Sequence, residues 1–302
     1  MASISDADEA ALQRSLVALE PMSQADAGEV LREAKEIFDE MSIVFFLRQG
    51  TCLGAIRGEG FIPWDDDLDL GSVIGLHGLV EKSIDLVVAA FRDRGFIAKA
   101  ERYDHYIYVL ALKSSIRIDW MCLRIFDGSV FHYPGSRFPV RLFTHLKEID
   151  FAGGKFLVPD PPQEYLQFKY GPDWKTPKQT GYEKDVVQII PEAPIPGRAG
   201  TLKQFLATRI LRGCAGKLRV LDHDGEPVAG AEVAVAGLNR SRTNSRGYAR
   251  FYLPRDDFYA LTVRHGDHEE VLYEEIMAPG ETYVYRPDSA AGPGRLLVLT
   301  QE

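Results

Sequence analysis

Cysteine is scarce in this sequence, and its placement rules out a zinc ribbon or a disulfide framework. Cys52, Cys122 and Cys214 are odd in number and far apart, and none belongs to a Cys-x-x-Cys pair. Free, buried thiols in a reducing compartment are the expectation. An excess of basic charge is also lacking: 35 Lys and Arg stand against 44 Asp and Glu, a net charge of −9. That argues against a basic groove, and no nucleic-acid partner is expected. No apolar run reaches the ~18 residues that a membrane span needs. Met1 to Glu9 lacks the basic start and apolar core of a secretory signal. A soluble, cytoplasmic chain without a transmembrane segment is expected. Histidine offers no metal centre either. His265 and His268, with Asp267 between them, read as a solvated turn.

What the sequence does have is carboxylate, concentrated in one place. Asp65-Asp66-Asp67-Leu68-Asp69 sets four acids within five positions, behind a run of small residues, Arg57 and Trp64. Burying such charge unpaired is very costly, so these groups are solvated or hold a cation. Leu68 and Leu70 alternate with Asp67 and Asp69, the period of a strand with one buried face. Asp67 and Asp69 then project from the same side, as ligands for a hard cation such as Mg²⁺. Asp65 shares that side only if the strand begins early. The spacing Asp65-x-Asp67-x-Asp69 also opens like a calcium loop. Its sixth and twelfth positions are Leu70 and Leu76 in place of glycine and glutamate, so that reading fails.

Around this stretch the chain reads as two parts. Helical spacing runs from Glu9 to about Met41, and Ile43 to Leu47 reads as a buried strand. Gly50-Thr51 turns the chain into a helix from Cys52 to Ile56, leaving backbone N–H groups to hold phosphate. A helix at Leu79–Arg94 and strands at Phe96–Ala100, Tyr106–Leu112 and Ile116–Met121 follow. Asp119 lies inside the last of these, where strands disfavour aspartate. Beside Asp67 and Asp69 it would be a third metal ligand; otherwise its strand has one solvated face. A hairpin at Gly153-Gly154 and a short helix at Glu164–Lys169 come next. Leu202, Phe205, Leu206, Ile210 and Leu211 predict a connector helix over 201–215, whose basic residues also suit peripheral membrane contact. From Lys217 to Asp288, alternating segments with turns every eight to twelve residues predict a small antiparallel β-sandwich, with Arg295–Leu299 as a last strand.

The stretch Gly50-Thr51-x-Leu53-Gly54-Ala55-x-Arg57, followed by Gly60-Phe61-Ile62-Pro63-Trp64-Asp65-Asp66-Asp67-Leu68-Asp69, resembles the LicD and fukutin-related phosphotransferase family. Asp119 within its strand, the segment Gly153 to Pro159 and Tyr170-Gly171-Pro172-Asp173-Trp174 fit the same pattern, so the resemblance spans about Met41 to Pro177. Cys52 stands where the family usually has leucine, and Gly58 where a histidine commonly follows the arginine. The C-terminal part, with Gly225-Glu226-Pro227-Val228-Ala229-Gly230-Ala231, looks like a carboxypeptidase-regulatory-like sandwich. These resemblances imply an α+β nucleotidyltransferase-like catalytic domain with a mixed sheet over 1–200 and an all-β accessory sandwich over 216–302.

The first resemblance implies transfer of a phosphorylated alcohol, such as phosphocholine or ribitol phosphate, from a CDP-linked donor to a glycan or glycolipid acceptor. Asp67, Asp69 and Asp119 would bind Mg²⁺ or Mn²⁺, and Asp119 would help deprotonate the acceptor. Gly50, Thr51 and Arg57 would hold phosphate, with Arg57 paired to Asp65 or Asp66 as the competing expectation. Trp64 would stack on cytosine or pack in the core, and Asp65 would line the substrate site. Two alternatives stay open: a nucleotidyltransferase acting on another small molecule, and a non-catalytic glycan-binding scaffold.

Overall fold

The structure, a computed structural model, describes residues 4–18, 20–58, 60–103, 105–126, 128–132, 136–179, 182–190, 215–253, 256–288 and 298–302. The chain divides into two compact units. The first comprises Met1–His132 and Arg137–Lys175; the second comprises Tyr133–Ser136 and Thr176–Glu302.

In the first unit, α1 (Asp6–Ala18) and α2 (Gln24–Glu40) replace the single helix expected from Glu9 to Met41. Pro21 interrupts the run, since proline lacks the N–H a helix interior needs. Ser23 then caps α2 by accepting from the Asp26 N–H at 3.4 Å. Ala27, Val30, Leu31, Ala34, Ile37 and Phe38 recur at helical spacing and are buried. Next come β1 (Phe46–Leu47), α3 (Gln49–Arg57), β2 (Asp67–Val73), α4 (Glu81–Asp93), β3 (Ile97–Arg102), β4 (Tyr106–Lys113) and β5 (Ile116–Leu123). The strand expected from Ile43 is thus shorter, and the helix expected from Cys52 already begins at Gln49. Short pieces follow: β6 (Ile125–Phe126), β7 (Ser129–His132), β8 (Ser136–Pro139) and α5 (Arg141–Thr144). The unit closes with β9 (Leu146–Phe151), β10 (Gly154–Pro159) and α6 (Pro162–Tyr170). β9 and β10 form the expected hairpin, turned by Ala152 and Gly153, both at positive φ (47° and 76°).

The central sheet has the order β1-β2-β5-β4-β3. β2 and β5 are parallel and the other neighbours antiparallel, so the sheet is mixed as expected. One face is apolar. Phe38 of α2 meets Phe91 of α4 and Trp120 of β5 with ring centroids 5.5 and 4.8 Å apart. The Trp120 indole N–H is satisfied by the Ser72 hydroxyl at 2.9 Å. At Gly71, paired with Phe46, a Cβ would come within 2.6 Å of the Phe46 ring, so only glycine lets β1 close on β2.

In the second unit, α7 (Tyr182–Ile189) precedes β11 (Ala215–Val220), β12 (Glu232–Val235), β13 (Asn239–Arg242), β14 (Tyr248–Tyr252), β15 (Asp257–His265), β16 (His268–Met277), β17 (Thr282–Tyr285) and β18 (Thr300–Gln301). They form two four-stranded sheets, β14-β11-β17-β18 and β13-β12-β15-β16, around a core of its own that includes Val233, Phe251, Leu261 and Tyr285. His265 and His268 flank an exposed turn between β15 and β16, as expected. The connector helix of 201–215 lies outside the described residues except for its last residue, which opens β11. The strand expected at Arg295–Leu299 lies mostly outside them, and the last described strand is β18.

Candidate active site

The polar face of the central sheet carries the acids. β2 and β5 run parallel with Asp67 opposite Arg117 and Asp69 opposite Asp119, so these four side chains leave the same face. The alternation along β2 predicts this for Asp67 and Asp69; only the pairing of two distant strands brings in Asp119 and Arg117.

Asp69 is held most tightly. Its Oδ2 accepts the Gly50 N–H at 3.0 Å, and its Oδ1 accepts from Gln49 Nε2 at 3.0 Å and pairs with Arg48 Nη2 at 3.1 Å. Its own N–H donates to Thr51 Oγ1 at 2.8 Å. The first turn of α3 is therefore built around a carboxylate, which its free N–H groups and dipole favour. The sequence reading gives the Gly50 N–H and the Thr51 hydroxyl to phosphate. In the structure they hold Asp69, because α3 starts early enough to wrap Gly50 and Thr51 against β2. Replacing Thr51, which is fully buried, by valine leaves the Asp69 N–H without this acceptor. A loss of about 1–3 kcal/mol is expected in urea unfolding of the first unit.

Arg117 knits together the rest. Its Nε donates to Asp119 Oδ1 at 3.1 Å, its Nη2 to Asp66 Oδ2 at 2.9 Å and also to Asp67, and its Nη1 to the Ser15 carbonyl of α1. Tyr108 of β4 hydrogen-bonds Asp119 from the neighbouring strand. Asp65 lies ahead of β2 in a turn, its N–H on the Ile62 carbonyl and its own carbonyl accepting from Met22 N–H. Its Oδ2 is buried with no hydrogen-bond partner. A Cβ at Gly50 would stand 2.6 Å from that oxygen, so the glycine makes room for Asp65. Arg57, at the end of α3, donates through Nε and Nη2 to the Trp174 carbonyl, tying the first motif to the Tyr170–Trp174 segment. Trp64 is half-buried and stands outside the core cluster. Gly58 closes α3 at φ 81°, a backbone that favours glycine where a histidine would be strained.

Sequence reasoning missed four residues that shape this site. Arg48 and Arg117 are buried cations, Tyr165 of α6 accepts the Gln49 N–H at 3.2 Å, and buried Lys169 acts electrostatically on Asp69. Arg117 was readable in part: it lies two positions before Asp119 on one strand, hence on the same face. Lys169 carried no such signal.

These residues fit a divalent cation. Oxygens of Asp65, Asp66 and Asp67 lie within 4.8 Å of one another. The buried Asp65 oxygen lacks a partner, and the five carboxylates outnumber the nearby cations Arg48, Arg117 and Lys169. Burial, with neighbouring carboxylates adding to it, raises Asp65, Asp66, Asp69 and Asp119. Asp66 is pushed up to about 6, Asp69 to about 7 against the pull of Arg48, and Asp119 to about 8 against the pull of Arg117. A raised carboxylate pKa means that the folded chain keeps protons which the unfolded chain releases near pH 4. Without added cation, the first unit should lose stability as pH rises from about 4 to about 8. Cation binding needs the ionised form, so Mn²⁺ affinity by calorimetry should rise more than tenfold from pH 6 to pH 8.

Residues 42–160 match the family model described as LicD/FKTN/FKRP, nucleotidyltransferase domain. Curated relatives match a similar stretch. Ribitol-5-phosphate transferase FKTN of Homo sapiens is 28% identical over 164 residues, 51% of this chain and 34% of that protein. Ribitol 5-phosphate transferase FKRP of Mus musculus is 26% identical over 152 residues, covering 48% of this chain and 31% of that protein. The uncharacterized protein RP689 of Rickettsia prowazekii is 26% identical over 159 residues, 48% of this chain and 54% of that protein. The chain spans about a third of the length of the two transferases. Over residues 42–160 this chain is thus similar to the LicD family. Among the described residues, no helix is long and apolar enough to cross a membrane.

Proposed function

We propose that the first unit transfers a phosphorylated alcohol from a CDP-activated donor to a hydroxyl of a glycan or glycolipid, with Mg²⁺ or Mn²⁺ as cofactor. The observation that carries this reading is the parallel pairing that sets Asp69 beside Asp119, with Asp67 on the same face, inside the stretch shared with the ribitol-phosphate transferases. Asp67, Asp69 and Asp119 would hold the cation, with Asp65 and Asp66 beside them. The cation supplies charge neutralisation at the donor's pyrophosphate.

The chain's own residues do the rest. The acceptor oxygen attacks the alcohol-bearing phosphorus, the bond from that phosphorus to the bridging oxygen of CMP breaks, and CMP leaves. Asp119, its pKa raised by burial toward neutral pH, takes the acceptor's proton. Arg57 is the candidate to hold donor phosphate, its guanidinium oriented by the Trp174 carbonyl. Trp64, half-buried ahead of the acids, is the candidate to stack on cytosine. Gly50 and Thr51 serve the donor through Asp69. The reading places the reaction in the cytoplasm, where the buried free thiols Cys52 and Cys122 stay reduced.

The test is CMP release from CDP-choline, CDP-ribitol, CDP-glycerol and CDP-ethanolamine, with Mn²⁺ or Mg²⁺ and with EDTA. Metal-dependent release from one donor names the alcohol. No release, together with no metal-dependent binding of any of these donors, would sink the CDP-alcohol reading in favour of another nucleotide donor or a scaffold.

A further inference from the structure

We propose that Arg117 is the built-in counter-cation of the carboxylate cluster, a positioning residue that holds Asp66, Asp67 and Asp119 in place and competes with the divalent cation for them. The inference rests on the metal reading above and goes beyond it by naming what sets the cation threshold. Arg117 is 5% exposed and sits on β5 directly opposite Asp67. Its three nitrogens engage four acceptors from four places in the chain: Asp66 ahead of β2, Asp67 on β2, Asp119 on β5 and the Ser15 carbonyl on α1. Its planar fork suits this division, which the single ammonium of a lysine cannot reproduce. Surface pairs of this kind contribute little. Here the partners are mostly buried, and removing the guanidinium would leave three like charges together.

Two of the Arg117 partners, Asp67 and Asp119, are proposed cation ligands, and Asp66 and Asp67 lie in the group whose carboxylate oxygens come within 4.8 Å of one another. A cation held by Asp67 and Asp119 would face the Arg117 charge and lone pairs that Arg117 already engages. Arg117 therefore weakens cation binding while protecting the fold. Were a cation to take the carboxylates, the bond to the Ser15 carbonyl would still anchor the guanidinium, and its other N–H groups would be available to an anionic phosphate.

The experiment is Mn²⁺ binding, followed by electron paramagnetic resonance of free Mn²⁺, on the full chain and on Arg117→Gln, Arg117→Lys and Asp67→Asn. Arg117→Gln is expected to bind Mn²⁺ at least tenfold more tightly than the unaltered chain, with Arg117→Lys between the two. It should also melt lower in EDTA and gain more from Mn²⁺. Equal or weaker Mn²⁺ binding by Arg117→Gln would overturn the proposal. If Asp67→Asn leaves Mn²⁺ binding unchanged, the reading that places Asp67 among the cation ligands fails and the proposal with it. If Asp67→Asn weakens binding but Arg117→Gln does not strengthen it, the counter-cation role alone is lost. Should Arg117→Gln fail to fold, the unaltered chain still decides the matter. The Arg117 Nε–H resonance, assigned by its loss in Arg117→Lys, is expected to shift on saturation with Mg²⁺. A resonance that stays fixed at saturation overturns the proposal.

Discussion

Asp67→Asn is expected to lower metal-dependent CMP release by about 10²–10³-fold, the scale on which one group aimed at transition-state charge acts. Mn²⁺ binding should weaken at least tenfold in the same variant. Asparagine is nearly isosteric, keeps an oxygen for Arg117 to donate to, and removes one negative charge from the cluster. The fold should therefore persist, and an unchanged near-ultraviolet circular dichroism spectrum checks that it does. The loss should appear in kcat more than in KM, because the charge it removes is needed where the pyrophosphate bond breaks. Full activity with normal Mn²⁺ affinity would remove Asp67 from the proposed metal site. The neighbouring acids then become the ones to test, beginning with Asp65 and its unpartnered buried oxygen.

Arg48→Ala should be the most destabilising single change in the first unit. Arg48 is 3% exposed and Asp69 is 8% exposed. The guanidinium pairs with Asp69 Oδ1 at 3.1 Å and also donates through Nε to the Leu70 carbonyl at 3.2 Å. Removing one partner of a buried pair costs about 3–5 kcal/mol, because the other charge is left in a poor medium. For a unit of this size the thermal midpoint should fall on the order of 10 °C. The effect should be larger at pH 8 than at pH 6. Burial already pushes Asp69 up to about 7, so in mild acid it can take a proton and escape the penalty. The double variant Arg48→Leu with Asp69→Leu should recover part of the stability while abolishing any Asp69-dependent chemistry. If Arg48→Ala unfolds at the same urea concentration as the unaltered chain, the pair is not the anchor of α3 to β2.

Both expectations depend on a site that spans distant parts of the chain. Local pattern is enough for some of it. The alternation of Asp67 and Asp69 with Leu68 and Leu70 fixes a strand with its acids on one face, because successive side chains in a strand point opposite ways. The helical spacing of α2 and α4 and the turn chemistry at Ala152-Gly153 were likewise legible, since each depends on residues within a few positions. The motif order from Gly50 to Asp69 points to the LicD family, and the family match over residues 42–160 agrees.

Elsewhere the local signal misled. The run from Glu9 to Met41 has helical period almost throughout, but a single proline outweighs the pattern and splits it. Gly50-Thr51 looks like a phosphate-binding turn, yet those groups bond Asp69, some twenty residues away. In β16, Glu269, Glu270 and Glu275 break the apolar alternation. Glu275 is nonetheless buried, accepting the N–H groups of Val298 and Leu299 at 2.8 and 2.9 Å.

Already legible along the chain are a dense set of acids on a strand, helices and strands around them and a β-rich segment after them. Those are consequences of period and composition, which are local. Which charges meet is set by the packing of distant strands and helices. The parallel register of β2 against β5 puts Asp119 and Arg117 beside Asp69 and Asp67, and the early start of α3 turns its N-terminus onto Asp69. Which charges neutralise one another depends on distances of a few ångströms between residues tens of positions apart. No local pattern carries that information.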